Sequence, residues 1–146
     1  MKFSKAFTLI EVLLVVAIGA GIFALSAPYS LNFYRTQLIN DAQSNVMDAL
    51  QRARHYAVLQ KNDSNFGVHF STASSTYTLF QDSYSVDNIN NEVFSVISGI
   101  TFTGEEDIIF SKLTGVTSTT STTTLTYGTI SRSISIDESG AVSKVE

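Results

Sequence analysis

Glu11 is the only charged residue in an apolar run from Phe7 to Ala27. A carboxylate inside an apolar helix costs on the order of 2.5–3.5 kcal/mol at the centre of a bilayer, and less near an end. Such a residue is expected to meet a cation. At its own end of the run the candidates are Lys2 and Lys5. If the segment before Phe7 is removed, the new amine on Phe7 joins them, one helical turn from Glu11. Pairing of that kind works within one chain or between neighbouring chains.

Other chemistries find little support. The chain has 146 residues and no cysteine, which excludes disulfides, thiolate zinc sites and thiol catalysis. His55 and His69 have no metal-ligand spacing around them, and are read as a helix residue in solvent and a strand-face residue. There is no Gly-x-Ser-x-Gly elbow and no phosphate-cradling glycine loop. The carboxylates of Glu105-Glu106-Asp107, of Asp82 with Asp87, and of Asp137-Glu138 lack the alternating Asp, Asn and Gly of a calcium loop, and are read as turn residues. The chain is therefore expected not to be an enzyme and to hold no metal or cofactor. Arg52, Arg54, His55 and Lys61 form a small basic patch, but the net charge is -4. Charge gives no support to a nucleic-acid partner. DNA binding through that patch stays as an alternative. So does an exported hydrolase, which lacks candidate residues. Asn62-Asp63-Ser64 fits the three-residue glycosylation pattern.

Before the apolar run, Met1 to Ala6 is short and basic, with Lys2 and Lys5. As a helix, Phe7 to Ala27 would rise about 31 Å, enough to cross a bilayer core. The lysines place its N-terminal side in the cytoplasm. Ala24-Leu25-Ser26 offers the small residues of a secretory cleavage site. Yet the run exceeds the usual ~7–15 residues of a signal peptide, and a glutamate sits in its first turns. A plain single-pass anchor fits the composition as well.

The run Lys5-Ala6-Phe7-Thr8-Leu9-Ile10-Glu11, followed by the apolar block, resembles the type IV prepilin processing site. The resemblance implies cleavage between Ala6 and Phe7 by a prepilin peptidase, and N-methylation of Phe7. It gives Glu11 a role in subunit registration. The family usually has Gly where this chain has Ala6, the next smallest side chain. Gly19 and Gly21 each lower helix propensity by about 1 kcal/mol relative to Ala. Pro28 removes a backbone donor and disfavours helical geometry just before it. Pilins carry a proline at this distance from the cleavage site, and their helix can lose order around it in the filament. The three residues are expected to mark a helix break there. The alternative is that the glycines pack between helices and Pro28 ends the membrane span.

From Leu31 to Gln60 the period changes. Ile39, Ala42, Val46, Ala49, Ala53 and Tyr56 recur at three- and four-residue steps, with Leu38, Leu50 and Ala57 widening the stripe. This predicts an amphipathic helix lying across a sheet, ended by Lys61-Asn62-Asp63-Ser64. Beyond it the period falls to two. Strands are expected at 66–70, 77–80, 93–102, 107–110, 124–127, 133–136 and 141–145, with a hairpin turn at Glu138-Ser139-Gly140. Thr117 to Thr124 is all Ser and Thr, and is expected to be an exposed loop open to O-glycosylation.

One helix followed by antiparallel strands makes an α+β chain. Its order of pieces resembles the H-type minor pseudopilins of type II secretion and the minor pilins of type IV pili. The residues that carry this are Ala53-Arg54 with Ala57, Gly67-Val68-His69-Phe70, Ile108-Ile109-Phe110 before Gly115, and Ile134-Ser135-Ile136 before Gly140-Ala141-Val142. The resemblance implies the type IV pilin fold. It divides the chain into a leader at 1–6, a hydrophobic assembly helix at 7–28, an amphipathic helix at 29–61 and a β domain at 62–146. The implied partners are other pilin or pseudopilin subunits, a prepilin peptidase, an inner-membrane assembly platform, and lipid before assembly. A major pilin remains an alternative to a minor one.

Overall fold

The computed structural model describes residues 7–145, and within the long helix the side chains at 25–30 lie outside the described set. Helix α1 spans Leu9–Val58 and is continuous across Gly19 and Gly21. A Cβ placed on either glycine would meet no atom within 4 Å, so neither is a packing contact in the single chain. By chain contacts the molecule divides into a unit up to Arg35 and a compact unit from Thr36 onward.

In the second unit the stripe read from the sequence is the buried face. Ile39, Val46, Leu50, Ala53 and Ala57 are fully buried, and Ala42 and Ala49 nearly so. The polar positions between them, among them Asp41, Asn45, Asp48 and Gln51, face solvent. Gln43 is the exception. It is buried, and its Nε2 donates to the Ser133 carbonyl at 2.8 Å, which offsets the desolvation of its amide. The helix ends at Val58, a little before the expected stop. Gln60, Asn62 and Asp63 then take left-handed φ values. A short 3₁₀ turn, Lys61–Asp63, leads into the strands.

The strands are β1 Phe66–Ser71, β2 Thr76–Gln81, β3 Glu92–Ser95, β4 Ile100–Gly104, β5 Asp107–Phe110, β6 Ser121–Tyr127, β7 Ile130–Ile136 and β8 Val142–Val145. They form two antiparallel sheets, ordered β3-β2-β1-β5 and β4-β6-β7-β8. The antiparallel β domain expected of the sequence is thus built from two sheets. The segment expected as one strand over 93–102 splits into β3 and β4, which belong to different sheets. Gly99, at φ +96°, lies in the turn between them, a conformation that side chains with a Cβ rarely adopt.

One core joins all three layers. On β1, Phe66, Val68 and Phe70 point inward, opposite Leu79 and Tyr77 of β2. Phe102 of β4 meets Phe70 at 5.3 Å and Tyr77 at 6.4 Å between ring centroids. Tyr56 of α1 packs edge-on against Phe66 at 5.4 Å. The outer face of the first sheet has a covering of its own. The Phe80 ring lies over Gly67, where a Cβ would come 2.6 Å from its Cζ and 2.7 Å from the Ile108 carbonyl. Tyr84, from the β2–β3 loop, stacks on His69 at 3.6 Å and meets Phe80 edge-on at 5.8 Å.

The Ser/Thr tract is not the exposed loop expected of it. Ser121–Thr124 lies in β6, with Thr123 fully buried, and Thr117 is buried against the last hairpin. The Thr117 hydroxyl lies within hydrogen-bond distance of the Asp137 carbonyl, at 2.9 Å, and of the Thr119 carbonyl, at 3.1 Å, and its one proton serves one of them at a time. Among the expected loop positions, Ser118, Thr119, Thr120 and Thr122 are exposed.

Candidate assembly surface

The described part of the N-terminal motif sits at a helix start. The Thr8 carbonyl accepts from the Glu11 N–H at 3.1 Å, and the Thr8 hydroxyl accepts from the same group at 3.4 Å. Thr8-Leu9-Ile10-Glu11 is therefore a Thr-x-x-Glu N-terminal cap, with the glutamate in the first turn. Sequence reading treated Glu11 as a charge inside the run and did not note the cap that Thr8 makes to its N–H. The cap pattern was visible in the four residues themselves. A carboxylate in the first turn also favours the positive end of the helix dipole. Ala6, and the lysines before it, lie outside the described residues.

Beyond the cap the helix is apolar on every side. Leu9, Ile10, Val12 to Val16, Ile18, Ile22 and Phe23 are all more than half exposed, as is Phe7 before it. A helix that is apolar all round needs apolar surroundings, whether lipid or other helices. Among the described residues no helix is long and apolar enough to cross a membrane. The run expected to span one, Phe7 to Ala27, continues into residues 25–30, and Pro28 falls there too.

The basic patch does not form as a free surface. Arg52 pairs with Glu92 of β3 at 2.9 Å and lies near the rings of Tyr56 and Phe94. Lys61 sits over the Tyr56 ring at 4.0 Å. Arg54 donates from Nη2 to the Ser139 carbonyl at 3.2 Å. His55 is exposed on α1. The two histidines are far apart in role, because His69 is half-buried and its Nδ1 lies 2.7 Å from Asp107 Oδ1. Among the described residues no group of three or more His, Cys, Asp or Glu is placed to hold a metal ion. Asn62 is held as a turn residue, its Nδ2 donating to Gln81, and the Ser64 hydroxyl is buried.

Residues far apart in sequence converge at the C-terminal end of α1. A Cβ on Gly140 would overlap the Gly115 carbonyl and come 3.1 Å from Arg54 Nε. Both glycines have positive φ, +75° and +65°. Only glycines allow Arg54 and the two turns to approach this closely. The last turn is closed by Asp137. Its Oδ1 accepts from the Ser139 hydroxyl at 2.6 Å and from the Ala141 N–H at 2.9 Å.

Those bonds hold the Asp137 carboxyl below the usual carboxylate range, the Ser139 hydroxyl contributing most and the Arg54 charge least. The stabilisation is full above the unfolded pKa of about 4 and is lost as pH falls through the lower folded value. The melting-temperature gap between wild type and Asp137→Ala is therefore expected to narrow as pH falls below about 4. Thermal melts above and below that pH check it, and a constant gap would remove the charge from the account.

No family model and no curated protein matches the chain. Among solved structures, the minor pseudopilin EpsH from the type 2 secretion system of Vibrio cholerae is similar, with a TM-score of 0.53. The alignment covers 74% of this chain and 95% of that one, at 15% identity. This is the pseudopilin fold. At that identity the likeness is one of fold alone. Within this pseudopilin fold, the convergence of Arg54, Gly115 and Gly140 ties the C-terminal end of the helix to the β domain.

Proposed function

We propose that this chain is a subunit of a filament of the type II secretion or type IV pilus kind, more akin to a minor subunit. The observation that carries the proposal is the exposed, all-round apolar helix behind the Ala6-Phe7 junction, in a chain with the pseudopilin fold. A prepilin peptidase would cleave after Ala6, and the new Phe7 amine would be methylated. Before assembly the apolar helix would hold the subunit in the inner membrane with its N-terminus in the cytoplasm. An assembly platform would then draw it into a filament in the periplasm or outside the cell. There the same apolar residues would exchange lipid for neighbouring helices. Glu11 would fix the register of that exchange. Helical order around Gly19, Gly21 and Pro28 would loosen in the filament. The domain divisions expected at residues 6, 28 and 61 belong to this reading.

The mature protein should begin at an N-methylated Phe7 and contain 140 residues, the 146 of the chain less Met1 to Ala6. Intact mass and N-terminal analysis of protein from the native host test this. A start at Ala27, or an untouched Met1, would sink the reading.

A further inference from the structure

We propose that the outer face of the first sheet, with the loop at 82–91, docks a different subunit of the same filament through a patch that is apolar and cationic. The inference rests on the filament reading and names one partner contact within it.

The strand register sets what that face carries. Val93, Thr78, His69 and Asp107 stand opposite one another across β3, β2, β1 and β5. Side chains at paired positions share a face, and Val68 and Leu79, one position on, turn to the core. Ile109 shares the outer face with Asp107, two residues along β5. The loop crosses this face, since Tyr84 stacks on His69 and meets Phe80 edge-on. Its own hydrogen bonds order it. The Ser85 carbonyl accepts from Asn91 Nδ2 at 2.7 Å and from the Asn88 N–H, and Asn88 Oδ1 accepts from the Asn90 N–H. On this frame Ile89 is 96% exposed and Val86 78%, and Val93, where the loop returns into β3, is 65% exposed. Large apolar side chains held in water on an ordered frame gain free energy when covered, with little ordering cost.

Charge decides what covers them. From 64 to 111 there is no Lys or Arg, against six carboxylates. Glu92 is met by Arg52 of α1, and Asp107 by His69. Asp82, Asp87, Glu105 and Glu106 are exposed and make no ion pair among the described residues. An anionic rim of this kind repels nucleic acid and acidic lipid headgroups and attracts a cationic surface. A small cation would answer the carboxylates but leave the apolar side chains wet, so the occupant is a protein surface.

A second copy does not supply it. In the compact unit from Thr36 onward, Arg52 and Lys112 are in ion pairs. Arg54 donates to the Ser139 carbonyl, Arg132 to Asn40 Oδ1 and the Ser131 carbonyl, and Lys144 to the Ser44 hydroxyl. Lys61 sits over the Tyr56 ring. No Lys or Arg of that unit is left unengaged, so the matching cations belong to a different chain. A minor subunit meets neighbours of other kinds, and the filament itself thus provides such a chain.

The test puts a photo-crosslinking benzophenone side chain in place of Ile89, in the full-length chain expressed in the native host, and maps adducts in sheared filaments by mass spectrometry. Ile89 is almost fully exposed, so the change removes no core contact. The expected product is one adduct with another subunit of the filament, joined at a segment that carries Lys or Arg. Adding Asp87→Lys should lower its yield at least about tenfold, and a Lys→Glu change in the mapped partner segment should restore it. Asp87 makes no ion pair, so Asp87→Lys should keep the wild-type melting temperature. Three results would overturn the docking and leave the filament reading standing: filaments that contain the variant without an adduct, adducts only between copies of this chain, or a yield that Asp87→Lys leaves unchanged. Wild-type protein absent from filaments would overturn both.

Discussion

Replacing Phe102 by alanine is expected to lower the stability of the β domain by about 3–5 kcal/mol. The side chain is 2% exposed and stands on β4, in the second sheet. Its ring contacts reach Phe70 of β1 and Tyr77 of β2, in the first sheet. It is thus a tie between two sheets that share no strand. Truncation forfeits the transfer energy of the ring and leaves a cavity whose walls belong to separate sheets. Those walls cannot collapse together without moving backbone, so relaxation recovers little. Loss of that size is a large fraction of the 5–15 kcal/mol typical of a whole domain. For a unit of about a hundred residues it corresponds to roughly 12–30 °C in melting temperature. Thermal unfolding followed by circular dichroism measures it. A shift of only a few degrees would show that the sheets hold together through the helix instead. Phe94 is the contrast. It stacks on Tyr77 at the exposed edge strand β3, and its loss should cost less.

Why the division into two sheets is not legible in the sequence can be seen at residues 92–104. Val93 to Phe102 reads as a single β-rich stretch because Ser98-Gly99 is a weak interruption among Val, Ile and Phe. The break is real because Gly99 takes a positive φ and sends the chain from one layer to the other. Period-two patterning reports that a residue faces a core, not which sheet carries it. The helix was legible for the opposite reason. Its stripe of Ile39, Ala42, Val46, Ala49 and Ala53 meets both sheets at once, so one periodicity sufficed.

The Ser/Thr tract failed on a different principle. Polarity argued for a loop, yet Thr is β-branched and suits a strand. In β6 the inward positions are Ser121, Thr123 and Leu125. Thr123 is fully buried, and its hydroxyl has no hydrogen-bond partner among the described residues, a placement that composition does not reveal. At the candidate site, the N-terminal motif was plain in seven consecutive residues. The convergence of Arg54 with Gly115 and Gly140 was not, because it depends on the helix end meeting two turns that lie 61 and 86 positions further along the chain. The basic patch was legible as residues but not as a surface. Glu92 and Ser139, which lie on other elements, accept from Arg52 and Arg54, and the Tyr56 ring lies under Lys61.

Glu11→Leu is expected to leave leader cleavage and membrane residence largely intact and to reduce incorporation into filaments at least about tenfold. The cost argument comes first. An unpaired carboxylate is unfavourable in lipid, so leucine favours residence there. Cleavage reads the small residue and the segment beside Phe7, and survives. Assembly differs because an apolar helix moving from lipid into a bundle has no intrinsic axial register. A contact between the Glu11 carboxylate and the Phe7 amine of a neighbour would be directional in a low-dielectric setting, and polar pairs of that kind can set register. The Thr8–Glu11 cap adds a competing explanation, since leucine cannot serve as the polar third residue of a capping box. Glu11→Gln separates the two. Glutamine serves in the same capping position as glutamate but carries no charge. If registration is the role, Gln is partly defective in assembly, keeping a hydrogen bond but losing the charge, while its helix content matches wild type. If capping is the role, Gln assembles normally and Leu alone fails. Processed subunits counted in membrane and sheared-filament fractions, for wild type and both variants, decide between them. Full incorporation of the Leu variant would strip Glu11 of both roles.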